Sequence, residues 1–181
     1  MYLNHEEIVA LCLDGQVLNW DPECVNAASL DLRLGDTLLV ERVTSKIVDY
    51  RKREHLELQE IKLGEEGIVI EPGVFFLAHT MEQCNFRDDT AALFRIKSSM
   101  GRIGLEHMDA GWVDPGFYGA LTLEFKNMTE NHSIRLRPGD RIGQLVFIKG
   151  NKVSVEQSYR TKGNYNGASG VVQVRYKEED E

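Results

Sequence analysis

The chain has 181 residues, a formal charge of −8, 42% hydrophobic residues and 28% charged residues. This composition fits one globular domain of roughly 100–200 residues with a real hydrophobic core. The acidic balance argues against nucleic acid or an anionic membrane as a partner for the whole surface, no apolar run approaches the roughly 20 residues of a membrane span, and MYLNHEEIVA lacks the basic n-region of a signal peptide.

Asn4 and Glu7 have the spacing of a capping box. Ile8, Leu11 and Cys12 follow at helical spacing, and Gly15 is placed to end the helix. One short N-terminal helix is predicted. Strands follow. Ser29 to Leu34 alternates with period two and is expected to close at Gly35-Asp36. Glu41 to Lys62 is charge-rich and reads as an exposed hairpin or loop. Ile70-Glu71-Pro72-Gly73-Val74-Phe75 and Leu136-Arg137-Pro138-Gly139-Asp140-Arg141-Ile142 share a Pro-Gly turn, in which Pro presets φ and Gly accepts φ > 0.

Ala91 to Ile96 is apolar and leads into a predicted loop, Lys97 to Arg102. Asp114-Pro115-Gly116 is a further turn. Ala120 to Lys126 alternates, with Leu121, Leu123 and Phe125 on one face and Thr122, Glu124 and Lys126 on the other. Gln144 lies in an otherwise apolar strand that runs to Ile148. Tyr159 to Gly170 is Gly-rich and reads as a mobile flap, Val171 to Tyr176 as a last strand, and Lys177 to Glu181 as an acidic tail. One domain over 1–176 is expected, mainly β, as a barrel or sandwich. The three cysteines, Cys12, Cys24 and Cys84, are odd in number and far apart. They read as small buried residues of a reduced, cytoplasmic protein.

The chemistry concentrates between Lys97 and Glu124. Serine hydroxyls, backbone N–H groups and the cations Lys97 and Arg102 together suit the oxygens of a polyphosphate. Glutamate is a poor strand former, and Glu124 sits among apolar neighbours. A lone strand carboxylate of this kind suits proton transfer. Each feature also has a plain structural reading: an exposed loop, a solvated strand face, a simple turn, an amide paired within the sheet. Neither G-x-x-x-x-G-K-[ST] nor G-x-G-x-x-G occurs. The zinc-deaminase signature is also missing, as are paired histidines and a G-x-S-x-G elbow.

Five stretches occur together and in order: NAASLDLRLGD (26–36), IEPGVFFLAHTME (70–82), KSSMGRIGL (97–105), AGWVDPGFYGALTLEF (110–125) and LRPGDRIGQLVF (136–147). In these the chain resembles the dCTP deaminase branch of the dUTPase superfamily. The resemblance implies a distorted dUTPase-like β-barrel, a homotrimer and active sites at subunit interfaces. It implies zinc-independent hydrolytic deamination of dCTP, with Mg²⁺ bound through the triphosphate, no metal held by the chain alone, and dUTP and ammonia as products. It assigns Glu124 as proton shuttle, with Ser98 and Arg102 completing the catalytic centre. Lys97, Ser99, Met100 and Gly101 meet phosphates, Asp114 the 3′-hydroxyl, and Thr122 and Leu123 the base. Gln144, Tyr159, Lys162 and Asn164 complete the nucleotide contacts.

The chain departs from the family pattern at several positions. Lys97 stands for a usual Arg, Asn164 for Lys, Ala168 for Gln, and Asp109 for Thr. Two alternatives stay open. One is a bifunctional dCTP deaminase–dUTPase giving dUMP and pyrophosphate, in which Asp114 activates a water. The other is a non-catalytic nucleotide-binding homologue.

Overall fold

The computed structural model describes residues 1–176, and the expected acidic tail, 177–181, lies outside the described residues. Helix α1 (His5–Leu13) begins as its capping box predicts. Asn4 Oδ1 accepts from the Glu7 N–H at 3.0 Å, and Glu7 Oε2 accepts from the Asn4 N–H at 2.9 Å. Such a cap is worth about 1 kcal/mol. Ile8, Leu11 and Cys12 form the buried face, and Gly15 follows with φ +77°.

The strands are β1 (Val17–Leu18), β2 (Leu30–Glu41), β3 (Leu58–Lys62), β4 (Ile68–Ile70), β5 (Phe75–Asn85) and β6 (Thr90–Ile96). After helix α2 (Ser98–Arg102) come β7 (Leu105–His107), β8 (Trp112–Val113), β9 (Tyr118–Asn127), β10 (Ile134–Leu136) and β11 (Arg141–Lys149). Helix α3 (Tyr159–Lys162) follows. Nine strands make one sheet in the order β7-β9-β5-β2-β11-β6-β8, with β1 on β5 and β3 on β2; β10 and β4 form a separate pair. All these ladders are antiparallel. The long sheet curls into a half-barrel of the expected dUTPase-like type. Phe76, Phe86, Phe94, Phe125 and Phe147 are fully buried inside it. No helix among the described residues is long and apolar enough to cross a membrane.

The Pro-Gly turns form where the sequence puts them. Val74 N–H bonds Glu71 C=O at 3.2 Å, Asp140 N–H bonds Arg137 C=O at 3.1 Å, and Phe117 N–H bonds Asp114 C=O at 3.2 Å. Gly73, Gly139 and Gly116 take φ of +77°, +87° and +85°, as the third residue of a type II turn requires.

Three local expectations are corrected. The strand from Leu30 does not close at Gly35-Asp36; β2 continues to Glu41, with a register shift against β5 between Leu34 and Leu38. Gly35 is there because the His79 ring lies against it: a Cβ would sit 2.1 Å from His79 Cε1. Residues 97–102 are not a loop, because Met100 and Gly101 N–H both bond Lys97 C=O and start α2. Residues 171–176 form no ladder. Val172 and Val174 instead line a cavity, where apolar side chains are favoured without strand pairing. The stretch read as hairpin or loop contains β3, which pairs with β2, and residues 42–57 connect the two.

Candidate active site

A cavity of about 520 Å³ opens beside β9. Its floor is Leu121 to Glu124. The alternation read from the sequence is observed: Leu121, Leu123 and Phe125 are buried, while Thr122, Glu124 and Lys126 are partly exposed. The loop and turn from Ala110 to Phe117 form one wall, Leu56 and Leu58 another, and Val172 to Val174 cross the rim.

Two carboxylates face this space. Glu124 is one, and its Oε2 lies 3.5 Å from Nε2 of His107. Asp114 is the other, held by its turn and by Trp112, whose indole Nε1–H donates to Asp114 Oδ1 at 2.9 Å. The His107 side chain is 4% exposed. Its ring is packed by Phe94 at 4.6 Å and Phe125 at 5.5 Å between centroids. No local motif marked His107 or Trp112. Each matters through a neighbour that only strand register or turn geometry brings near.

Strand β9 pairs with β5 on one side along most of its length. On its other side β7 covers only Phe125 to Asn127, and a last bond joins Met108 N–H to Glu124 C=O at 3.0 Å. The edge beyond is met by the C-terminal segment. Gly167 N–H bonds Tyr118 C=O at 2.8 Å, and Ala120 N–H bonds Ala168 C=O at 2.7 Å. Val172 N–H donates to Thr122 Oγ1 at 3.1 Å. Thr122 has the parity of Tyr118, Ala120 and Glu124, so its backbone faces that same edge. The expected mobile flap is therefore docked, with Ala168 buried against Gly119. The approach is close because both residues are small: a Cβ on Gly119 would lie 2.8 Å from the Ala168 carbonyl oxygen.

Tyr159 lines the cavity and packs against Phe117 with the rings tilted and their centroids 5.6 Å apart. Burial pushes its phenol above the ordinary tyrosine range. Lys162 and Asn164 are engaged within the C-terminal segment, Lys162 Nζ with Gln157 Oε1 at 2.9 Å and Asn164 Nδ2 with the Arg175 carbonyl.

The remaining expected residues gather elsewhere. Ser98, Ser99, Gly101 and Arg102 are exposed on α2, and Met100 packs on the core. Lys97 is ion-paired with the buried Asp31, which also accepts from Asn26 Nδ2 at 2.9 Å. Ser29 Oγ donates to Gln144 Oε1 at 3.0 Å beside them. None of Lys97 to Arg102, nor Gln144, lines the cavity that Glu124 faces. The expected site residues therefore lie in two separate places on the chain, an acid-bearing cavity and a hydroxyl-and-cation cluster.

A family model described as dCTP deaminase-like matches residues 2–150. The chain belongs to the dCTP deaminase-like family. It is 37% identical over 178 residues to a protein of Persephonella marina, covering 97% of both chains. It is 38% identical over 179 residues to one of Sulfurihydrogenibium sp., again covering 97% of both. A relative from Mycolicibacterium vanbaalenii is 40% identical over 134 residues, 72% of this chain and 70% of that one. All three family members are named dCTP deaminase, dUMP-forming. Among solved structures, the 2′-deoxycytidine 5′-triphosphate deaminase of Agrobacterium tumefaciens superposes with a TM-score of 0.67 at 28% identity. That match covers 82% of this chain, which spans 48% of the longer protein.

The names of these relatives correct the expected product. Deamination ending at dUTP was the first expectation from the resemblance, and relatives matched over 97% of their length are named for dUMP. Glu124 advertises deamination in the sequence, whereas Asp114 looks there like a turn residue. The fold puts both carboxylates on one cavity.

Proposed function

We propose that the chain is an enzyme that converts dCTP to dUMP, ammonia and pyrophosphate, consuming two waters. Glu124 takes a proton from the water that attacks C4 of the cytosine. It gives that proton to N3, then takes the proton of the new C4 hydroxyl and passes it to the departing ammonia as the C4 carbonyl forms. Asp114 activates a second water for cleavage of the triphosphate between its α and β phosphorus atoms. The observation that carries this reading is the presence of both carboxylates on one cavity, in a chain whose family is named for dCTP deamination. A positioned base contributes typically ~10²–10⁴-fold, and orientation and fixed hydrogen bonds supply the rest.

The phosphates need donors, cationic ones above all, and among the described residues no Lys or Arg lines the cavity. The hydroxyls of Ser98 and Ser99 and the guanidinium of Arg102 offer them outside it, whereas the Met100 and Gly101 N–H groups expected to do so are bonded to the Lys97 carbonyl. In a homotrimer, α2 of one subunit would face the cavity of the next and bring Ser98 and Arg102 to Glu124. Gln144 and Lys97 would then lie along the triphosphate. Mg²⁺ arrives on the nucleotide as part of the substrate, and zinc has no role in this reading. Three buried free thiols suit a reducing, cytoplasmic compartment.

The test is to incubate the protein with Mg·dCTP and resolve ammonia, dUTP, dUMP and pyrophosphate. Equal yields of ammonia, dUMP and pyrophosphate are expected. Accumulating dUTP would remove the second step, and no ammonia would leave a nucleotide-binding homologue. EDTA should stop turnover and excess Mg²⁺ restore it. Activity that instead tracks bound zinc would refute the mechanism.

A further inference from the structure

Resting on this reading, we infer that His107 is a positioning residue for Glu124, holding Oε2 through its Nε2–H while Oε1 handles the proton of the attacking water. Among the described residues, His107 Nε2 and Glu124 Oε2 are the buried side-chain polar atoms that have no hydrogen-bond partner. They face each other at 3.5 Å. An unpaired polar atom in the interior is unfavourable, and two such atoms aimed at one another satisfy each other if the gap closes. The gap exceeds the 2.7–3.2 Å of an ordinary N–H···O bond by a few tenths of an ångström. Catalytic hydrogen bonds are commonly long before substrate arrives and tighten in the loaded complex.

The surroundings decide which partner moves. Phe94 and Phe125 flank the imidazole at 4.6 and 5.5 Å, and its side chain is 4% exposed. The backbone is also tied: His107 is in register with Phe125, and Met108 N–H bonds the Glu124 carbonyl at 3.0 Å. Glu124 has the free torsions, and its side chain is 32% exposed toward the cavity. A small rotation of the carboxylate closes the bond. A packing role alone would be filled better by a third aromatic ring, which would bring no polar atom into this box. With Oε2 held, Oε1 turns to the cavity and the carboxylate keeps one orientation through the proton transfers. The Nε2 proton stays on His107 throughout.

The test uses the full chain with His107→Phe, which fills the box but cannot donate, and His107→Gln, which restores an N–H donor. The rate of ammonia release from Mg·dCTP should fall about ten- to a hundredfold in His107→Phe, the scale of a misplaced catalytic group. KM should stay within about threefold, because the loss falls on the transition state. The melting temperature should not fall. His107→Gln should recover most of the rate. Wild-type kcat in His107→Phe, or no recovery in His107→Gln, would overturn the inference. So would a loss of rate that only tracks a lower melting temperature. A second readout does not depend on turnover. ¹⁵N-edited NMR with dCTP bound should show a slowly exchanging His107 Nε2–H that is lost in Glu124→Leu. Its absence in the wild type refutes the pairing. A wild type that shows the signal but releases no ammonia refutes the proposed reaction alone.

Discussion

The Nζ of Lys97 is ion-paired with the carboxylate of Asp31, whose side chain is 1% exposed. Lys97 thus anchors the start of α2 to β2 across the sheet, and a second cation, Arg141, stands 3.9 Å from the same carboxylate. A residue expected to meet phosphate therefore also holds the fold. Removing one partner of a buried pair leaves an uncompensated charge, which costs about 3–5 kcal/mol when both ends are enclosed. Lys97 is 30% exposed and Arg141 remains, so Lys97→Ala should cost about 2 kcal/mol. Urea unfolding measures this, and Lys97→Ala combined with Asp31→Asn should recover part of it. An unchanged midpoint in Lys97→Ala would restrict Lys97 to phosphate contact.

Glu124→Gln should abolish ammonia release while the chain stays folded. The amide keeps the shape and the acceptor facing His107 but cannot cycle a proton. Pyrophosphate release from Mg·dUTP should continue, because that step is assigned to Asp114. Ammonia release within tenfold of wild type would remove Glu124 from the mechanism.

Asp114→Asn should separate the two steps in the opposite sense. Its Oδ1 can still accept from Trp112, so the turn is preserved. Ammonia should form at a rate close to wild type, and dUTP should accumulate in place of dUMP. Chromatography of the nucleotides over one time course reads both. Undiminished dUMP would mean that another group activates the second water.

Acid stability should depend in part on Asp89. A hydrogen bond from Lys149 Nζ at 2.6 Å is the largest cause holding this carboxyl below the usual carboxylate range, with Thr90 adding a second. The folded value is depressed, so the contribution is present above the unfolded value of about 3.9 and is lost as pH falls through the folded one. Asp89→Asn should lower stability at pH 7 and approach wild type below about pH 3. Denaturant midpoints across that range test this, and a constant difference at every pH would exclude the linkage.

Local chemistry alone determined several parts of this molecule. The start of α1 is an exchange of bonds between Asn4 and Glu7, three residues apart. The turns at Pro72, Pro115 and Pro138 need only a fixed φ followed by a glycine. The face of β9 that carries Glu124 follows from alternation over seven residues. These features were legible because their partners lie within a few positions on the chain. The joint pattern of five stretches likewise carried the family and the mainly β, barrel-like fold class. Tertiary structure decided the rest. Gly35-Asp36 has the composition of a turn, yet the strand continues, because Thr37 to Glu41 pair with β3 and Leu38 to Val40 with β5. Val171 to Tyr176 has the composition of a strand, yet it forms no ladder: Val172 N–H bonds the Thr122 hydroxyl, and Val172 to Val174 line the cavity. Lys97 meets Asp31 across 66 residues of sequence, and His107 meets Glu124 only through the β7–β9 register. Contacts of that kind depend on which strands become neighbours, which the whole core decides together.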